Sequence, residues 1–251
     1  MDDPFESPRL LIEDARLDVA TLDSEFKAWV KKLQPESVVS RDPQTGEHLA
    51  KLRYAEKMPG RFRVLASNAV NNLRHALDQA VNCAAVQLGG RDTNYFPFAQ
   101  SASDMDAAMK DRCKKVPVGL HPVLKGFKPY PGGDDLLCAV QIANKNKHRG
   151  ILNLHAEAVG GRHEVNARMS GPGRVGTLIW DSHKQELEMA RVAPGTRLDM
   201  DSKGSVVFRI ELRNTPTPQG EPATAILYSL ADKVESVLLA LEAETARLRG
   251  V

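Results

Sequence analysis

The sequence predicts an α+β fold: a bundle of long helices packed with one antiparallel β-sheet in the C-terminal half, with the terminal helices paired. Three observations predict it. Apolar residues recur at three- and four-residue steps over residues 7–33, 61–88 and 221–249, the signature of amphipathic helices. Between about residues 150 and 214 the period drops to two and glycine turns punctuate short β-rich runs. The order is helices, then strands, then a helix, within one domain spanning 1–251: a helical region over 1–149, a β-meander over 150–214 and a closing helix over 221–249.

The first helix has Ser7 as its N-cap and Pro8 at its first position, and buries Leu11, Ala15, Val19, Leu22, Phe26, Val30 and Leu33 before Pro35 ends it. A hairpin follows, turning at "DPQTG". The second helix, 61–88, is closed by Gly89 and Gly90. A short helix begins near Ser103, and "DDLLCAVQIANKNKH" reads as a further helix with acids in its first turn and cations in its last, which suits the helix dipole. Six short strands are expected next, separated by turns at "VGG", "SGPG", "APG" and "DSKG"; in the last strand Phe208, Ile210 and Leu212 face the core and alternate with Arg209 and Glu211. In the closing helix Ile226, Leu230, Val234, Val237 and Leu241 form one stripe.

Composition narrows the function classes. The chain is 42% hydrophobic and 26% charged, which excludes a disordered chain. Three widely spaced cysteines give neither a disulfide framework nor a thiolate zinc site, and no metal or cofactor is expected. The acidic N-terminal residues lack the apolar run of a signal peptide, and no segment has the length of a membrane span, so a reducing, cytoplasmic location without membrane association is expected. Net charge is +2, too low for a general polyanion binder. Residues 110–149, however, carry nine bases and three acids, a candidate footprint for an anionic ligand, nucleotide or RNA. Its alternative is a solvated face. A second copy of the chain, forming a homodimer, is the other candidate partner. No zinc-protease helix, phosphate loop, dinucleotide fingerprint or nucleophile elbow is present.

The second helix is unusual on its wet side. Asn68, Asn71, His75, Asp78 and Asn82 lie almost opposite its apolar face, and from Val64 to Leu88 there is neither Lys nor Glu. Short amides are poor helix formers and suit a surface that touches something. Two structural alternatives stand beside a functional site: a buried hydrogen-bonded network, and an ordinary Arg74–Asp78 surface pair.

A second cluster is "NKNKHRG", residues 144–150, placed between two apolar runs. Read as a site, Asn71, Asn72, Arg74, Asn144, Lys147 and Arg149 bind an anion, His148 is the catalytic general acid or base, and Asp78 is the second catalytic residue, orienting it. This gives a phosphate- or RNA-directed acid–base site between the second helix and the 144–149 turn. Read as structure, the same groups form a buried clasp in a non-catalytic protein-interaction or structural module, and Lys147, His148 and Arg149 cap a helix end.

"NNLRHALDQAV", "YFPFA", "FKPY" and "NKNKHRG", in that order over residues 68–150, resemble a family of uncharacterised bacterial proteins with an Asn-Leu-Arg-x-Ala-Leu-Asp helix and an Asn-x-x-Lys-His-Arg motif. On that pattern Asn72, Leu73, Arg74, Ala76, Leu77, Asp78, Asn144, Lys147, His148 and Arg149 correspond. Gln79 stands where the family often has His, and His75 where it often has a small residue. The resemblance implies a shared helix and turn, and no activity.

Overall fold

A computed structural model describes residues 3–54, 56–141, 152–181, 184–213, 217 and 220–250. The fold is α+β. Helices α1 (Glu6–Lys32), α2 (Gly60–Gln87), α3 (Met105–Arg112), α4 (His121–Gly126), α5 (Asp135–Ala139) and α6 (Ala223–Arg249) accompany strands β1 (Glu36–Arg41), β2 (His48–Arg53), β3 (Leu154–Met169), β4 (Gly173–Asp181), β5 (Glu186–Val192) and β6 (Leu198–Leu212). Where the sequence divides at 149 and 214, the chain instead interleaves two compact units: Met1–Ser24 with Gly60–Leu154 and Leu212–Val251, and Glu25–Pro59 with His155–Glu211.

The first unit is helical. The start of α1 and helix α6 both pack on α2, and α4 and α5 lie on α6. The terminal helices pair as expected: Arg9 Nη2 donates to Glu242 Oε1, and Arg16 Nη2 donates to Asp232 Oδ1 and Glu235 Oε2, both at 2.7 Å. All five predicted stripe residues of α6 are buried. In α1 the buried seam is Ile12, Ala15, Val19, Leu22, Phe26, Trp29 and Leu33, so Ile12 and Trp29 take the places expected for Leu11 and Val30. Those seven keep a strict alternation of three- and four-residue steps, the spacing of a coiled-coil seam. Nor is Ser7 the cap. The helix begins at Glu6, the Asp3 carboxylate accepts from Phe5 N at 2.9 Å, and the Ser7 hydroxyl donates to Gln79 Oε1 of α2.

Gly89 and Gly90 close α2 as predicted, Gly89 at φ +79° and Gly90 N donating to Ala85 O at 2.8 Å. Helix α5 is shorter than expected: its five residues are capped by Asp134, whose carboxylate accepts from Leu137 N, and give way to a turn at Val140 and Gln141. The rest of the predicted helix, 142–148, lies outside the described residues.

The second unit is built on β-structure. Strands run in the order β1-β2-β5-β4 in one antiparallel sheet, so the N-terminal hairpin supplies half of it. Strands β3 and β6 form a separate two-stranded ribbon rather than joining a single sheet. They run antiparallel, since Arg213 N donates to Asn153 O at one end and Ser170 N to Arg197 O at the other. The predicted turns at "VGG" and "DSKG" are absent, and each of these strands runs straight through its glycines. The turns that do form use a glycine at positive φ (Gly46 at +72°, Gly195 at +83°) or, at Gly171, a position where a Cβ would meet Thr196 Oγ1 at 2.7 Å. Gly160 has no such requirement and simply extends the strand. Ile210 and Leu212 are buried as expected; Phe208 instead packs edge-on against Tyr54 and Trp180, and Glu211 is buried in an ion pair with Arg209.

Candidate functional site

Half of α2 is buried, 14 of its 28 residues. The missing lysines and glutamates follow from what covers its polar edge. Positions 67, 71, 74, 78 and 82 fall at three- and four-residue steps and so share one stripe, and residues 94–98 run beside the second half of that stripe. Asn82 and Asn94 bond reciprocally: Asn82 Nδ2 donates to Asn94 O at 3.0 Å, and Asn94 N donates to Asn82 Oδ1 at 2.9 Å. One turn earlier, Asp78 Oδ1 accepts from Phe96 N at 2.7 Å and meets Arg74 Nη2 at 3.1 Å. The Arg74 guanidinium also lies 4.7 Å from the centre of the Phe98 ring. At the other end, Ser67 Oγ accepts from Leu152 N at 2.9 Å.

The Arg74–Asp78 pair is therefore not a surface pair. The side chain of Arg74 is 5% exposed and that of Asp78 19%. Burial pushes the Asp78 carboxyl above its ordinary value, against the opposing pull of Arg74 and the Phe96 amide. Burial likewise lowers Arg74, with Asp78 opposing. Two polar atoms on this stripe, Arg74 Nη1 and Asn71 Oδ1, are buried with no hydrogen-bond partner among the described residues.

The predicted site residues divide into three groups. Asn71, Arg74 and Asp78 are brought together on the covered stripe. Asn72 is turned elsewhere, its Nδ2 donating to Asp14 Oδ2 of α1 at 2.7 Å. Asn144, Lys147, His148 and Arg149 lie outside the described residues, as does any meeting of that turn with Asp78. Of the other polar residues expected on the face, His75 and Asn68 are exposed.

Sequence reasoning missed Asn94, which is 1% exposed and is the hub of the arrangement. Its side chain accepts from Lys115 N at 3.0 Å while its backbone is held by Asn82. Next to it, Tyr95 N donates to Arg112 O, and Cys113 Sγ approaches Tyr95 O at 3.5 Å. Residues 94–96 are thus bonded on one side to α2 and on the other to residues 112–115. Gly90 completes the contact, because a Cβ there would meet Lys115 O at 2.4 Å. The usable signal in the sequence was the pairing of an amide-rich helix face with the Asn94 and "YFPF" segment that follows it. Cys113, buried here, has its thiol pushed up to about 12 by burial, which makes it inert rather than nucleophilic.

No family model, curated protein or solved structure matches the chain. Among the described residues no helix is long and apolar enough to cross a membrane, and no group of three His, Cys, Asp or Glu is placed to hold a metal ion.

Proposed function

We propose that the chain is a non-catalytic protein-interaction module in which the polar stripe of α2 is a buried clasp. One observation carries this reading: Asp78 Oδ1 already holds both the Phe96 amide and the Arg74 guanidinium, and so fixes the 94–98 segment onto α2. A group engaged in this way is suited to positioning backbone, and its bonds lead through Asn94 and Tyr95 to the basic 112–115 segment. On this account the clasp shapes a surface and leaves the chemistry to whatever binds there.

A second reading keeps the phosphate- or RNA-directed acid–base site, with His148 as proton carrier and Arg74, Lys147 and Arg149 on the anion. Arg74 Nη1 and Asn71 Oδ1, unpartnered among the described residues, favour it, since a buried donor and a buried acceptor on one stripe are what a ligand group can satisfy. The likeness to the bacterial Asn-x-x-Lys-His-Arg family is a proposal of kinship and supplies no substrate.

The test sets stability against turnover. Nuclease and nucleotide-hydrolysis assays on the purified chain are run beside Asp78→Asn and His148→Ala, with urea unfolding of each. The module reading expects no turnover and a loss of stability in Asp78→Asn. Turnover abolished by either substitution with folding intact contradicts it.

A further inference from the structure

Two adjoining grooves open beside the segment that the clasp positions. One, of about 450 Å³, is lined by α3, α4 and the chain between them; the other, of about 330 Å³, lies between the end of α2 and residues 114–118. They share Lys114, Val116 and Val118. Their charged lining is Arg91, Lys110, Lys114, Lys115 and Lys125 against a single lining carboxylate, Asp106, which is paired with Lys125; outside the lining, exposed Asp111 lies 3.6 Å from Lys114. The floor is apolar, with Met109 and Val116 buried and Val118 77% exposed where the two grooves meet. A protein of net charge +2 has thus gathered five cations around one strip of aliphatic surface.

We propose that this double groove docks an extended acidic peptide segment carrying aliphatic side chains. The inference rests on the interaction-module reading and names its partner class. Three features favour a peptide over a nucleic acid. Neither groove is lined by Phe, Tyr or Trp, so bases have no ring to stack on. Four of the five cations are lysines, point charges on mobile stems, where planar recognition of phosphate favours arginine forks. The aliphatic floor matches a chain that alternates carboxylate and apolar side chains, since an extended peptide turns successive side chains to opposite sides. The cationic rim steers the partner and Val118 anchors it.

Fluorescence anisotropy on the full chain tests this with three labelled probes: a glutamate-rich peptide bearing two leucines, an all-glutamate peptide of equal length, and a single-stranded oligonucleotide of equal charge. The leucine-bearing peptide is expected to bind saturably and more tightly than either of the others. Lys110→Glu/Lys114→Glu should weaken it about tenfold or more and Val118→Ser about threefold, while Lys31→Glu/Lys32→Glu on α1 leaves it unchanged. All of these side chains are exposed, and unchanged melting temperatures confirm that the variants fold. The proposal is overturned if the peptide does not saturate, if the groove variants bind as the parent does, if the all-glutamate peptide binds equally, or if the oligonucleotide binds more tightly. Failure to bind while Asp78→Asn still loses stability removes the groove and leaves the clasp; turnover in the hydrolysis assays removes the module reading itself.

Discussion

At Asp78 one carboxylate oxygen takes an amide and a guanidinium together, and this sets what each substitution should do. Asp78→Ala leaves a buried arginine without its counter-charge and the Phe96 amide without an acceptor. The expected loss is about 3 kcal/mol, the lower end for a broken buried pair because Asp78 keeps some contact with water. Asp78→Asn keeps an oxygen for the amide and should lose less; urea unfolding measures both. The sign with pH follows from burial. A carboxyl raised in the folded state binds its proton more tightly there than in the unfolded chain, so its contribution to stability is greatest at low pH and falls as pH rises above the ordinary value of 3.8. Wild-type stability measured relative to Asp78→Asn should therefore decline from pH 4 toward neutrality. A difference that is flat, or that grows with pH, would show that burial does not outweigh the opposing pull of Arg74 and the Phe96 amide on the carboxyl.

Among the elements, the sheet of the second unit holds a buried charge of the opposite character. Glu186 on β5 is 8% exposed and accepts from Lys51 and Arg53 on β2. Its burial is outweighed by those two cations, which hold its carboxyl below the ordinary value. Glu186→Gln should cost about 1–3 kcal/mol at neutral pH, and the deficit should shrink as pH falls through the carboxylate range, where the parent loses the same contribution. Denaturant midpoints of the two proteins at pH 7 and below 4 check this. The elements themselves were legible to different degrees. Helices α1, α2 and α6 show in the sequence because a stripe at period 3.6 over more than twenty residues has no other explanation. The β1–β2 hairpin shows because Asp42 and Gly46 meet a specific turn geometry. The long ribbon strands do not, since a glycine needed for a turn and one tolerated in a strand look alike until φ is known. The site was half legible: the absence of Lys and Glu marked α2 as covered, but nothing local to Asn71 or Asp78 identifies residues 94–98 as the cover.

For the whole molecule, the decisive feature is an order the sequence does not advertise. Strands from 36–53 and from 173–192 share one sheet although all of α2 lies between them in the chain. Periodicity is a local signal, and the pairing of β2 with β5 is a long-range one, which is why a single sheet in the C-terminal half was expected. The consequence is testable. A fragment of residues 155–211 lacks β1 and β2 and exposes the edge of β5 to water, so it should show no cooperative thermal transition; joining residues 33–59 to it should restore one. In the helical unit, the clasp is the step by which one helix face organises a loop, and through it a basic groove. Its most direct test is amide hydrogen exchange at Phe96, followed by NMR in the parent and in Asp78→Ala. A clasp predicts a slowly exchanging Phe96 amide in the parent that exchanges much faster in the variant, together with that of Asn94. Fast exchange at Phe96 in the parent, unchanged by the substitution, would contradict it.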